Sequence, residues 1–153
     1  INSNFDTLLV QSFDNEVFTK DNFQIVSKTK PTKKIFNDLL FAFNICRNVK
    51  SNAIVLTKES STVGIGSGQP SRLDSCKIAI DKMKKFQKIS DSDEILAASD
   101  AFFPFVDGIE KLVQAGISAV IQPSGSKNDK EIIKFANQTN TILVFSKTRH
   151  FNH

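Results

Sequence analysis

From residue 7 onward, short apolar runs alternate with amphipathic stretches. Thr7–Gln11 and Phe23–Val26 predict short strands. Pro31 or Thr32 opens a helix in which Ile35, Leu39, Phe43, Cys46 and Val49 recur at spacings of three and four, which puts them on one buried face. Ala53–Thr57 is an apolar, partly β-branched strand, and Thr62-Val63-Gly64-Ile65-Gly66 is its expected hairpin partner. A second long helix runs from near Ser71 to about Lys88 and buries Leu73, Cys76, Ile80 and Met83 or their near neighbours. Ile95–Ser99 is a strand, Asp107–Ala115 a helix closed by Gly116, and Ser118–Gln122 a strand. Asp129–Thr139 is a helix closed around Asn140, and Thr141–Phe145 is the last strand. Gly116 and Asn140 fall where a left-handed cap residue belongs. Strands and helices alternating in this way predict an α/β fold, a layered sheet with helices on both faces.

Composition narrows the class. The 153 residues are 40% hydrophobic and 24% charged, which excludes disorder and suits one domain with a sizeable core. There are 14 Phe but no Trp and no Tyr, and most Phe stand beside aliphatic residues. The net charge is +4, with Lys interleaved among acidic residues, so no basic stripe for nucleic acid emerges. The densest cluster, Lys82, Lys84, Lys85 and Lys88, reads as the solvated face of a helix. Cys46 and Cys76 lie in apolar helical contexts without a CxxC and are expected to be reduced core residues of an intracellular protein. No apolar run approaches the length of a membrane span. The opening Ile1-Asn2-Ser3-Asn4-Phe5 has no initiator Met, which suggests a piece of a longer polypeptide.

Ligands of open α/β sheets bind beyond the carboxyl ends of strands, and three loops occupy that position. Gly64-Ile65-Gly66-Ser67-Gly68-Gln69-Pro70-Ser71-Arg72 lets backbone approach a ligand and ends on a helix N-terminus. Arg72 opposes the helix dipole there, which calls for a carboxylate or phosphate partner. The pattern is neither a dinucleotide fingerprint nor a P-loop, and a tight turn without ligand fits it equally well. Ser99-Asp100-Ala101-Phe102-Phe103-Pro104-Phe105-Val106-Asp107-Gly108 reads as a hydrophobic plug with Asp107 as helix cap, or as an aromatic platform with Asp107 accepting from a ring N–H. Pro123-Ser124-Gly125-Ser126-Lys127-Asn128-Asp129 reads as a capped turn or as a polar rim with free N–H groups. Lys50-Ser51-Asn52 enters a buried strand and needs hydrogen-bond partners. Arg149-His150-Phe151-Asn152-His153 holds both His of the chain, an ordinary tail feature lacking a third metal ligand. No nucleophile elbow or Cys–His pairing suggests a catalytic triad.

Lys50–Val55, Gly64–Arg72, Ala98–Phe105, Gln122–Ser126 and Arg149–His153, in this order and spacing, resemble the end of the bifunctional purine biosynthesis family. That family joins an IMP cyclohydrolase domain to a transformylase domain acting on aminoimidazole carboxamide ribonucleotide (AICAR). The resemblance implies that residues 1–153 are the C-terminal half of the transformylase domain, a cytidine-deaminase-like α/β half without the deaminase zinc signature, the upstream half and the cyclohydrolase domain being absent. It implies formyl transfer from 10-formyltetrahydrofolate, as cosubstrate, to the exocyclic amine of AICAR, with no tightly bound cofactor and no metal ligands. By position, Asn52 matches an active-site Asn near the reacting group. Arg72, Phe102 and Arg149 match AICAR-binding positions, Arg149 at the phosphate, and Leu73, Asp107, Ser126 and Lys127 match folate-side positions. A cytoplasmic homodimer is implied, with neither nucleic acid nor membrane as partner. An amide aimed at developing charge is worth about 10²–10³-fold in turnover, so Asn52→Ala should slow the reaction strongly.

Val106 stands where the family commonly has Arg, and Asn152 replaces a basic or His residue near the terminus. The family's catalytic Lys-His pair lies upstream, and this chain contains no Lys-His dipeptide. A noncatalytic nucleotide- or folate-binding module is the alternative, marked by AICAR binding without turnover once the upstream half is restored. A nucleic-acid binder would instead bind DNA with a steep salt dependence. The Phe-rich core should let the chain fold alone, with exposed former interface favouring aggregation; a cooperative melt and near-UV circular dichroism report the folding. The isolated chain is expected to give no formyl transfer, and detectable turnover by it would refute the assignment of proton removal to the upstream pair.

Overall fold

The computed structural model describes residues 2–4, 7–90 and 92–153; Ile1 and Phe5, the ends of the opening run, lie outside them. The strands are β1 (Asn2–Asn4), β2 (Thr7–Leu9), β3 (Phe23–Ile25), β4 (Ile54–Lys58), β5 (Ser61–Gly66), β6 (Ile95–Ser99), β7 (Ile117–Pro123) and β8 (Ile142–Ser146). The helices are α1 (Lys33–Cys46), α2 (Arg72–Phe86), α3 (Val106–Gln114) and α4 (Asp129–Gln138). β1 and β2 form a separate antiparallel pair, so the strand expected at Thr7–Gln11 ends at Leu9 and does not join the main sheet. The main sheet is mixed, in the order β3-β8-β7-β6-β4-β5. β6, β7 and β8 run parallel through the crossovers α3 and α4, whereas β3, β4 and β5 pair antiparallel.

The α/β layering with helices on both faces is as predicted, and the period-2 alternation of the strands produces it. Val55, Leu96, Ala98, Ile121 and Val144 face α1 and pack with its Ile35, Leu39, Phe43 and Cys46. Ile54, Leu56, Ile95, Ala97, Val120 and Leu143 face the other way and pack with Cys76, Ala79 and Met83 of α2, Ile109 and Leu112 of α3, and Ile132 of α4. Thr32 caps α1 by accepting from Ile35 N at 3.2 Å. Val49 lies beyond the helix and Leu73 is only half-buried, so each drops out of the fully buried stripe assigned to it. Gly116 and Asn140 end α3 and α4 with φ of +90° and +55°. The β4–β5 hairpin turns on Glu59 and Ser60, both at positive φ, a twist-matched two-residue loop without the usual Asn-Gly signal.

α2 lies close against β5 because two glycines let it. A Cβ at Gly66 would overlap the carbonyl oxygen of Ser75, and one at Gly64 that of Ala79. Both clashes are with helix backbone, which cannot rotate away. Gly66→Ala should therefore lower stability by about 1–3 kcal/mol through overpacking, read as a lower urea midpoint with an unchanged slope.

Candidate functional site

The amino end of β4 and the carboxyl ends of β5 to β8 lie along one edge of the sheet, since β4 runs antiparallel to β6. The three loops singled out from the sequence therefore share an edge with Asn52 and with the C-terminal strap, residues 147–153 after β8. At its centre stands Arg72, in the first turn of α2, with its side chain 11% exposed. The partner its position called for is a carboxylate: Nη2 donates to Asp100 Oδ1 at 2.8 Å. The same nitrogen donates to Asn52 Oδ1 at 2.8 Å, Nε donates to Ser99 Oγ at 3.0 Å, and Nη1 donates to the Phe102 carbonyl at 3.2 Å. Asp100 directly follows β6 and its side chain is fully buried.

Asn52 is equally committed. Its Nδ2 donates to the carbonyls of Gln69 at 2.9 Å and Pro70 at 3.1 Å, and its own carbonyl accepts from Ser75 Oγ at 2.8 Å. The amide orientation is unambiguous, because Arg only donates and backbone carbonyls only accept. Both N–H groups are thus spent on backbone carbonyls, and the open valence is the second lone pair of Oδ1. The polar residues before β4 find their partners as required. Lys50 O accepts from Gly68 N at 2.8 Å, and Ser51 exchanges bonds with Asn152, N to O at 2.8 Å and Oγ from N at 3.0 Å.

A cleft of about 370 Å³ opens beside this network, lined by Asn52, Arg72, Leu73, Phe103, Pro104, Phe105 and Asp107 among others. The aromatic loop divides its labour. Phe103 is buried and seals against Gly108, where a Cβ would strike the ring, so it is the plug. Phe105 is exposed at the cleft, while Phe102 is half-buried and meets the network through its carbonyl. Asp107 is not the helix cap: α3 starts at Val106, Phe105 takes the cap position, and Asp107 stands in the first turn with its carboxylate beside the cleft. A carboxylate is favourable there against the N-terminal dipole.

Ser126 and Lys127 do not line that cleft. Their loop is the capped turn: Asp129 accepts from Gly125 N at 2.8 Å and Ser126 N at 3.2 Å, so those N–H groups are not free. Asn128 Nδ2, donating to the Pro104 carbonyl at 2.5 Å, ties the loop to the aromatic segment. Arg149 lies in a different groove, of about 490 Å³, with Gln11, Phe13, Asp14 and Phe151, and its guanidinium stacks over the Phe151 ring at 5.3 Å. The two His part company. His150 is buried against Phe43 and Phe18 and bonded to Asp14, which is no ordinary tail feature, whereas His153 is exposed. Among the described residues no cluster of His, Cys, Asp and Glu could hold a metal, and no helix is long and apolar enough to cross a membrane.

Both cysteines are buried and unpaired. Burial pushes their thiols up, that of Cys76 to about 12, which leaves neither as a nucleophile. The residues that sequence reasoning passed over are Ser99 and Asp100. Their signal was an acid at the end of an all-buried strand, in a chain whose α2 begins with an unmatched Arg.

A family model described as AICARFT/IMPCHase bienzyme matches residues 1–82. The bifunctional purine biosynthesis protein PurH of Bartonella bacilliformis is 48% identical across 95% of this chain, and that of Chlorobium phaeovibrioides 44% identical across 95%. The chain spans 28% of the length of each. A dCMP deaminase from the cyanophage S-TIM5 overlaps 74% of this chain and 98% of its own, with a TM-score of 0.47 and 17% identity.

The strap carrying Arg149 is held by the contact between His150 and Asp14, and the Asp14 carboxyl gives it a pH dependence. Burial raises the Asp14 carboxyl, but the hydrogen bond and charge of His150, the Glu16 backbone N–H and the charge of Arg47 outweigh it and leave it below the ordinary carboxylate range. A depressed carboxyl stabilises above its unfolded value and loses that contribution as pH falls through its folded value. Exchange of the His150 amide, which donates to the Asp100 carbonyl at 2.8 Å, should therefore accelerate selectively below the ordinary carboxylate range. Asn in place of Asp14 should remove this acid step, as hydrogen exchange followed by NMR can show.

Proposed function

The chain belongs to the AICARFT/IMPCHase bienzyme family, and from that premise we propose that it supplies substrate- and folate-binding residues for formyl transfer to AICAR in purine biosynthesis. One observation carries the reading: Asn52, Arg72, Leu73 and Asp107, assigned to the two substrates by resemblance, line a single cleft. The reaction moves a formyl group from 10-formyltetrahydrofolate to the exocyclic amine, so the nitrogen must present its lone pair to the formyl carbon and then lose a proton. Asn52 suits the first task. With Nδ2 spent on Gln69 and Pro70, its free Oδ1 lone pair accepts an N–H of the amine and turns the nitrogen lone pair toward the cosubstrate. Asp107, at the cleft mouth, accepts from N–H groups of the pterin, and the exposed Phe105 offers a flat apolar wall next to it.

Phe102, Ser126, Lys127 and Arg149 keep their proposed roles without lining that cleft. Arg149 is exposed and carries no carboxylate partner among the described residues, which suits a phosphate of the nucleotide. Proton removal is left to residues outside this chain, the Lys-His pair of the upstream half. The parent protein is read as a cytoplasmic homodimer that also closes the product to IMP. Two free buried cysteines agree with a reducing compartment.

The test is formyl transfer by the full-length protein containing this segment, with Asn52→Ala alongside. Loss of about 10²-fold in turnover is expected, since the variant no longer orients the reacting amine. Unchanged turnover would remove Asn52 from the reaction. AICAR binding without transfer by the folded full-length protein would favour the noncatalytic binding module.

A further inference from the structure

We propose that Asp100 is a positioning residue for formyl transfer, acting on Asn52 through Arg72; this rests on the function proposed above. Asp100 is fully buried and lines no part of the cleft, so it touches no substrate. What it touches is the nitrogen that holds Asn52: Arg72 Nη2 lies 2.8 Å from Asp100 Oδ1 and 2.8 Å from Asn52 Oδ1. Ser99 Oγ fixes the guanidinium at Nε while donating its own proton to the Ala101 carbonyl at 2.6 Å. The Phe102 carbonyl fixes it at Nη1. A planar fork held at all three nitrogens cannot swing, so the position of the Asn52 oxygen is set from the end of β6. Arg72 without its carboxylate would be a cation held only by neutral acceptors, and its hold on the Asn52 oxygen would loosen.

The backbone of Asp100 extends the same control. Its N–H donates to the Ala53 carbonyl at 3.2 Å, next to Asn52, and its carbonyl accepts from His150 N at 2.8 Å, next to Arg149. One residue thus ties together the entry to β4, the start of α2 and the C-terminal strap. A residue acting only on stability would change the folded fraction and leave the turnover of the folded enzyme alone. A positioning residue changes kcat.

The experiment uses the full-length protein and compares Asp100→Asn, Asn52→Ala and the double variant, each with its melting temperature. Asp100→Asn is expected to lower kcat about tenfold or more with KM for AICAR within about threefold, and to cost nothing further once Asn52 is Ala. Full kcat in Asp100→Asn, losses that multiply in the double variant, or a change confined to KM would each overturn the proposal. If Asn52→Ala alone keeps full turnover, the role of Asn52 itself fails, and the single variant shows which of the two ideas was wrong. Should Asp100→Asn not fold, Ser99→Ala tests the same fork at Nε: a reduced kcat, silent in the Asn52→Ala background, is expected, and an unchanged kcat overturns the proposal.

Discussion

A guanidinium in the first turn of a helix is misplaced by about 0.3–1 kcal/mol against the dipole, and burying it without an anion would cost far more. Arg72 is tolerated because Asp100 meets it across the sheet edge. Once both charges are out of water, each constrains the other: removing one partner of such a buried pair costs roughly 3–5 kcal/mol. The start of α2, the end of β6 and the entry to β4 must arrive together for the pair to form. The cleft exists where they meet, so the ion pair is as much a condition of the site as of the fold.

That meeting depends on how closely α2 can lie on the sheet. Gly64 and Gly66 strip the side chains from β5 where the helix backbone passes, which brings Arg72 within reach of Ser99 and Asp100. The loop after β5 then returns two carbonyls, of Gln69 and Pro70, to the Asn52 amide. The glycine-rich run therefore acts through helix approach and backbone carbonyls. Its N–H groups are largely engaged elsewhere, as Gly68 N to Lys50 O illustrates.

The strap after β8 is a second, looser layer on the same edge. Its inner residue His150 is buried against Phe43 and Phe18 and carries a charged partner in Asp14, whereas Arg149 beside it stays exposed. Alternation along an extended strap separates the two: one side chain locks, the next is offered to solvent. The lock ties the segment around residues 11–16 to the C-terminus, with Gln11 and Thr148 adding bonds to Phe151 and Glu16. Two grooves result, one at the Arg72 network and one at Arg149, linked through Asp100 by backbone hydrogen bonds.

The order and type of the elements in the main sheet were legible along the chain, because apolar periodicity and cap residues are local signals. Ile95–Ser99 reads as a strand from its own residues, and Gly116 and Asn140 end helices by their own backbone preferences. Local patterns also mark Arg72 and Asp107 and the polar run that ends at Asn52, whereas Leu73 enters only through the family resemblance. Chain pattern could not say which groups are already spent. That Asn52 faces its donors inward, that Arg72 is matched by Asp100, that Phe103 plugs while Phe105 lies open, and that His150 is buried all depend on residues far apart in sequence. Hydrogen-bond valence and burial are properties of the assembled edge, and only the tertiary structure decides them.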